Sequence, residues 1–425
     1  MKKLKSIERV LIVSVFVEVL PLIAGTFTWN STSSTDFNNT ANWTGTGTPD
    51  FSDYKDEVIF PTRGSLVDPV LTANAKVWKL NFFSTSTWNP GASSYVLSIG
   101  AGGFYSGQDW GTHAWNIEVA TNQIWSINEN ALTLILSGNL SGSGHITKMG
   151  EGDITFSGNN SAFSGGITLI SGQLRLESSC PLGTGVLRIA GSCQLSPRYA
   201  GLTLSNPVEI NTTSLISIND GLGTPGANFT GNWTLNRNFA FTYQHGSGNV
   251  PLTISGAMSG PGGIWVQNPD INYATVSLTS TGKTFTGIIY ASGSLTAGLD
   301  INTTTTPRTV YVRAPAAVSG TALAIVAPLQ VSASGTLGSG PVEVQAGGLI
   351  VKSATCLNSN SSVLVRRSPM NLGYLSIQYD GDLPANLDAN STGFIALDVN
   401  YSKAIPALGN LFLGCTADTT FSGLS

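Results

Sequence analysis

The sequence predicts an all-β chain wound as a right-handed parallel β-helix, a solenoid of short strands stacked coil on coil. Three observations carry this. Apolar residues recur with period two over short runs, and Gly, Ser, Thr and Asn interrupt every window long enough for a helix. Stretches of chain also echo one another at offsets that drift while their order persists, as a solenoid permits and a closed propeller would not.

Residues 1–25 read as a secretory signal. Lys2, Lys3 and Lys5 precede the apolar run Val10 to Val17, and the small residues Ala24 and Gly25 follow a break at Pro21. Cleavage is expected near Ala24 or Gly25. Glu18 and Leu22 leave a retained amphipathic anchor as the alternative. No later stretch reaches the ~20 apolar residues that a helix needs to cross a bilayer. Residues 26–125 are expected to form an N-terminal capping region with the first rungs, and 126–425 the β-helix proper.

Half-buried strands are marked by Leu132, Leu134 and Leu136; Ile154 and Phe156; Ile167 and Leu169; Leu174 and Leu176; Leu187 and Ile189; Val342 and Val344. Gly-rich punctuation between them supplies tight corners. The segment from Leu132 to Gly144 returns at Pro251 to Gly262, Ala162 to Ile167 at Thr284 to Ile288, Ser171 to Leu174 at Ser292 to Leu295, and Leu182 to Gly185 at Leu337 to Gly340. Coils of about 20 residues or more would give roughly 15 rungs.

Of the 425 residues, 49 are Gly and 41% are hydrophobic, whereas only 10% are charged. The apolar content suffices for a long core and argues against disorder. Removing residues 1–24 takes away Lys2, Lys3, Lys5 and Arg9 with Glu8 and Glu18, leaving 16 basic and 22 acidic side chains and a formal charge of −6. That balance argues against nucleic acid, since the nearest basic feature, Arg366-Arg367, is an isolated pair. Cys180, Cys193, Cys356 and Cys415 are too scattered for a disulfide scaffold. Cys180 and Cys193 flank the turn Pro181 to Gly185 and could pair; unpaired, buried thiols are the equal alternative. There is no CxxC, and His113, His145 and His245 lack metal-ligand spacing.

The stretch from Ile146 to Gly185 combines Lys148-x-Gly150-x-Gly152, Phe156-Ser157-Gly158-Asn159-Asn160, Phe163-Ser164-Gly165-Gly166, Ser171-Gly172-x-Leu174 and Leu182-Gly183-x-Gly185. It resembles the autotransporter-associated β-strand repeat, also called the passenger-associated transport repeat. Residues 251–295 are a degenerate copy without the Lys-x-Gly-x-Gly element. More loosely, residues 26–60 look like the opening module of such proteins, and Leu202 to Ile210 like a family spacer. The resemblance implies export, a β-helix, display at or release from the cell surface, and often a C-terminal translocator barrel. No series of alternating ~10-residue segments marks such a barrel here.

Polysaccharide lyases and hydrolases also use β-helices, and need paired carboxylates or a basic residue beside acidic metal ligands on adjacent rungs. The acidic clusters Asp53-Tyr54-Lys55-Asp56-Glu57 and Asp380-Gly381-Asp382 with Asp388 read as solvated turns. The three histidines read as lone surface residues. Trp78, Trp88, Trp110, Trp115 and Trp125 read as core filling and end capping, with carbohydrate stacking the lesser alternative. No catalytic, cofactor-binding or metal residue is therefore assigned, and no cofactor. The expected function is that of an exported surface passenger with a structural or adhesive role toward surface glycans or a host or matrix surface, held at the outer membrane by a translocator outside this chain. The alternative is a carbohydrate-active enzyme or binding module. A groove lined by three or more charged side chains from consecutive rungs would favour the alternative.

Overall fold

The computed structural model describes residues 25–414 except 84–86, 108–110, 129–132, 180, 200, 213–214, 219–226, 244–251, 268–274, 280–283, 292–293, 298–309, 313–328, 332–336, 338–339, 345–346, 359, 369–370, 398, 401 and 404–411. The expected signal segment, Leu132, Cys180, Cys415, Trp110 and His245 thus lie outside the described residues. Within them the chain is β throughout apart from one 3-10 turn at Thr40–Asn42. No helix there is long and apolar enough to cross a membrane.

The strands form a parallel β-solenoid with three faces. Thr133–Leu136 lies on the second face, Leu140–Gly142 on the third and Ile146–Met149 on the first; Asp153–Phe156 then returns to the second, directly beside Thr133–Leu136. Among the described residues the first sheet contains 15 strands, the second 12 and the third 11. The third face opens as a branch of the first sheet, because the long strand Val96–Ser106 pairs through its first half with Asn116–Val119 and through its second half with Gln123–Ile127.

Coil length varies. Thr133, Asp153 and Gln173 stack at a spacing of 20 residues, Phe239, Ile264 and Ile289 at 25, and Val310 on Val342 at 32. The 12 strands of the second sheet, between Thr112 and Val365, span about 11 turns. Insertions lengthen coils without breaking register, because only strand residues must match their neighbours.

Period-two alternation turns one side chain in two inward. One interior column runs Ile146, Ile167, Leu187, Val208, Trp233 and Met258 through six coils, each at most 3% exposed. Fully burying such a side chain contributes roughly 1.5–3 kcal/mol. At the N-terminal end the filling is aromatic. Trp29 meets Trp43 at 5.1 Å, Phe37 meets Trp115 at 5.4 Å, and Phe60 stacks on Phe82 at 4.6 Å. Trp88, Trp115 and Trp125 are buried here, as core filling requires, while Trp78 is half-buried.

The sequence echoes acquire a structural meaning. Thr133–Leu136 lies on the second face but its echo Leu252–Ile254 on the third; Leu140–Gly142 lies on the third but Met258–Ser259 on the first; Ile146–Met149 lies on the first but Ile264–Gln267 on the second. Each copy is displaced by a whole number of coils plus one face. The repeated unit is thus a strand with its corner, usable on any of three equivalent faces.

Corners need separate treatment, because the ladder cannot reach every backbone group where the chain bends. Asn160, 1% exposed, accepts the Leu140 N–H at 2.7 Å and donates to Pro181 O at 2.6 Å, bridging three coils. Asn206 donates to Gly183 O at 3.2 Å and to Gly185 O at 2.7 Å. Asn116 and Asn139 accept the N–H of Asn139 and Asn159, one coil on, at 3.2 and 3.0 Å.

Two sequence expectations are corrected, and an open choice at Cys193 is decided. Asp56 is no solvated turn residue: it opens the strand Asp56–Phe60 and is 2% exposed, sharing inward parity with Val58 and Phe60. His113 is fully buried rather than a surface histidine, its ring 4.4 Å from Phe82, because it stacks on inward Leu136. Cys193 is free and buried, so it does not pair with Cys180; Cys356 is likewise free and buried. Replacing Asn160 by Ala would orphan the Leu140 amide and the Pro181 carbonyl. It is expected to destabilise the chain by about 2–4 kcal/mol, read as a lowered urea midpoint; an unchanged midpoint would refute the corner role.

Candidate functional site

The outer side of the second sheet carries ion-paired side chains on consecutive coils. Ile154, Phe156, Leu174 and Leu176 point inward and are at most 2% exposed, so Asp153, Thr155, Gln173 and Arg175 stand outward between them. Register pairs Thr155 with Arg175 and Arg175 with Ser196 across three coils. The Arg175 guanidinium bonds the Asp153 carboxylate and donates through Nε to Gln173 Oε1 at 2.6 Å. Beyond it, Arg198 lies 3.7 Å from Glu177 and donates to Ser196 Oγ at 3.4 Å.

Burial shapes the electrostatics of this stripe. Desolvation holds the Asp153 carboxyl above its ordinary range, against the opposing pull of Arg175 and Lys148. The same desolvation lowers the Arg175 pKa, with Asp153 opposing. Asp153 with Arg175 and Glu177 with Arg198 make a stripe of alternating sign with no net charge.

Beside Asp153 a corner is built around a buried cation. Lys148 ends an inward run, is 2% exposed, and donates through Nζ to Gly150 O at 2.7 Å, Gly152 O at 2.5 Å and Ser171 O at 2.8 Å. Three ammonium hydrogens meet three carbonyls. Gly172 must be glycine: its φ is +72°, and a Cβ there would lie 2.2 Å from Lys148 Nζ. Desolvation, opposed by Asp153 and Glu151, lowers the Lys148 pKa to about 8, which still leaves it protonated at neutral pH.

The acidic clusters seen in the sequence do not converge on a site. Asp53 pairs with Lys55 at 2.6 Å on the surface, and Glu57 with Lys79 at 3.3 Å. Asp380 accepts from Ser402, 22 residues on, and Asp388 from Asn390 within its own surface loop. Of the Arg366-Arg367 pair, Arg366 bonds Glu343 one coil away. His145 bridges coils, its ring nitrogens 2.8 Å from Gly165 O and 2.7 Å from Thr168 Oγ1. Among the described residues, no group of three or more His, Cys, Asp and Glu side chains stands where it could hold a metal ion.

Sequence reasoning missed the Asp153, Arg175, Glu177 and Arg198 stripe. Its signal was charge at outward positions of successive alternating strands, legible only once coil length is known. Lys148 was read as part of a turn motif, not as a buried cation.

The sign of the Lys148 titration is testable. Its folded pKa of about 8 lies below the ordinary 10.5, so the cost of the charge is full below pH 8 and is relieved as pH rises toward 10.5. Relative to Lys148→Met, the native chain should gain stability over that window, by up to about 3 kcal/mol. Urea midpoints of both proteins at pH 7, 9 and 10.5 would measure it, and an advantage that shrinks with pH would contradict it.

No protein family, curated protein or solved structure matches this chain.

Proposed function

We propose that this chain is an exported, passenger-like surface rod with a structural or adhesive role, akin to proteins carrying the autotransporter-associated β-strand repeat. The observation that carries the reading is the use of charge on the outer faces. Arg175 with Asp153, Arg198 with Glu177, Arg188 with Glu209, and Arg366 with Glu343 each join neighbouring coils. Such side chains stitch a rod together and leave its surface close to neutral. The elements behind the family resemblance also have structural work in this solenoid. Lys148, Gly150 and Gly152 build one corner, and Asn160 with Gly183 another. Surface glycans or a host or matrix surface are the proposed contacts.

One observation favours a carbohydrate-active enzyme as the second reading. Asp153, Arg175, Glu177 and Arg198 come from consecutive coils of one face, and Asp153 is a desolvated carboxyl with a raised pKa. Against it, both carboxylates are held by guanidinium groups, whereas general acid–base work needs one group free to take or give a proton.

Cells expressing the full gene should show this chain on the surface or in the medium, where added protease removes it from intact cells. A periplasmic or cytosolic pool insensitive to protease would overturn the rod reading. The purified chain should release no reducing ends or unsaturated products from a panel of neutral and acidic polysaccharides. Release that disappears in Asp153→Asn would establish the enzyme reading instead.

A further inference from the structure

Asp56 is a buried carboxylate at the first coil, 2% exposed, that the rest of the structure does not explain. It accepts the Asp50 N–H at 2.7 Å. Its other donor is the Gly25 N–H, which faces it across the parallel pair of Gly25–Trp29 with Asp56–Phe60, where Gly25 and Asp56 are register partners. Both donors are neutral amides. The adjacent cation, Lys55, is turned outward and bonded to Asp53. Desolvation raises the Asp56 pKa, and Asp50 adds to it, with only the two amides and Lys55 opposing. A carboxylate so placed lacks a cation at one atom, the nitrogen of Gly25.

We propose that the chain is processed between Ala24 and Gly25, and that the α-ammonium created on Gly25 forms a buried ion pair with Asp56 that locks the first coil. The proposal rests on the export reading, which supplies a leader and a peptidase to remove it. Hydrolysis consumes one water and breaks the Ala24–Gly25 peptide bond. A carboxylate remains on Ala24, and the Gly25 amine takes up a proton. The nitrogen that donates to Asp56 as an amide then donates as a cation, with no movement of the strand. Position 25 suits glycine, since a Cβ would fall 2.6 Å from the Phe27 ring.

The expected pH window follows from the two partners. The α-amine, ordinarily near 8, would be raised by the carboxylate, so its contribution is full below about pH 8 and lost as pH climbs through the raised value. Asp56 paired with a cation would have its pKa drawn down, so its contribution is lost only in acid.

The test uses the full chain with residues 19–24 replaced by a six-residue protease site cut immediately before Gly25. The purified, folded protein is melted before and after cutting. Cutting should raise the Tm at pH 7 by about 2 °C or more. The gain should fade above about pH 9 and be absent in Asp56→Asn, which keeps an acceptor for the two amides. An unchanged Tm, or an equal rise in Asp56→Asn, would overturn the ion pair. In cells expressing the native chain, N-terminal sequencing of the exported product should begin at Gly25. Any other start overturns the processing site while leaving export intact, whereas a chain retained whole in the cytosol overturns the export reading itself.

Discussion

The fold depends on satisfying backbone groups at its corners. Along a face, parallel strands exchange N–H···O=C bonds coil to coil, and the ladder completes itself. At a bend the peptide planes turn out of the ladder, and each buried group left unmade costs about 1–3 kcal/mol. This chain meets that cost with short amide side chains that can give and accept at once. Asn160 gives and accepts in the interior, where Asn206 gives, and along one edge Asn116 gives and accepts while Asn139 accepts. Lys148 is the extreme solution, where three carbonyls converge on one point and only an ammonium has enough hydrogens. The abundance of Gly and the placing of Asn suit a chain with so many corners.

With corners provided for, the core asks little of its residues. Any apolar side chain of suitable volume can occupy a column, as Leu187, Val208 and Trp233 do in succession. The three faces are equivalent for the same reason, so a strand and its corner can recur one face displaced and still fit. Period two was therefore legible at Ile154 and Phe156 or Val342 and Val344, whose inward direction needs no knowledge of neighbours. Coil number was not, because the insertion between Val310 and Val342 leaves no trace in either strand. The burial of Asp56 was written in its parity with Val58 and Phe60, but its acidic, turn-like neighbours masked it. His113 was hidden differently, since its inward direction depends on Leu136 one coil later.

Charge follows the opposite logic, visible in composition and illegible in placement. Arg175 reaches Asp153 over 22 residues and Arg188 reaches Glu209 over 21, so a pair exists only if the coil between its members has the right length. Exposed pairs of this kind contribute about 0–1 kcal/mol each. Their greater effect is on register, since slipping a strand by one residue would separate the partners and turn the interior column outward. The Asp153 and Arg175 pair is the most shielded of these, and the one whose loss would be felt beyond its own coil.

An end coil has a neighbour on one side only, so each of its core residues loses part of the contact that interior coils share. The N-terminal end answers with volume. Trp29, Phe37, Trp43, Phe60, Phe82, Trp88 and Trp115 fill it, whereas Leu, Ile and Val dominate the columns from Leu134 onward. Edge-to-face contacts such as Trp29 with Trp43 and Phe37 with Trp43 pack these rings against one another in the interior. Three of the four indole N–H groups find carbonyls, Trp29 at Val67, Trp43 at Phe37 and Trp88 at Pro61, while that of Trp115 is buried without a hydrogen-bond partner among the described residues. The strand edge is closed by reversal: Trp43–Gly45 runs antiparallel to Gly25–Trp29, the opposite sense to the ladder, and so cannot template a further parallel coil. The end of the solenoid is thus sealed twice, by aromatic volume inside and by a change of strand direction at the edge. Asp56 sits between those two seals, register partner of Gly25 in the first strand.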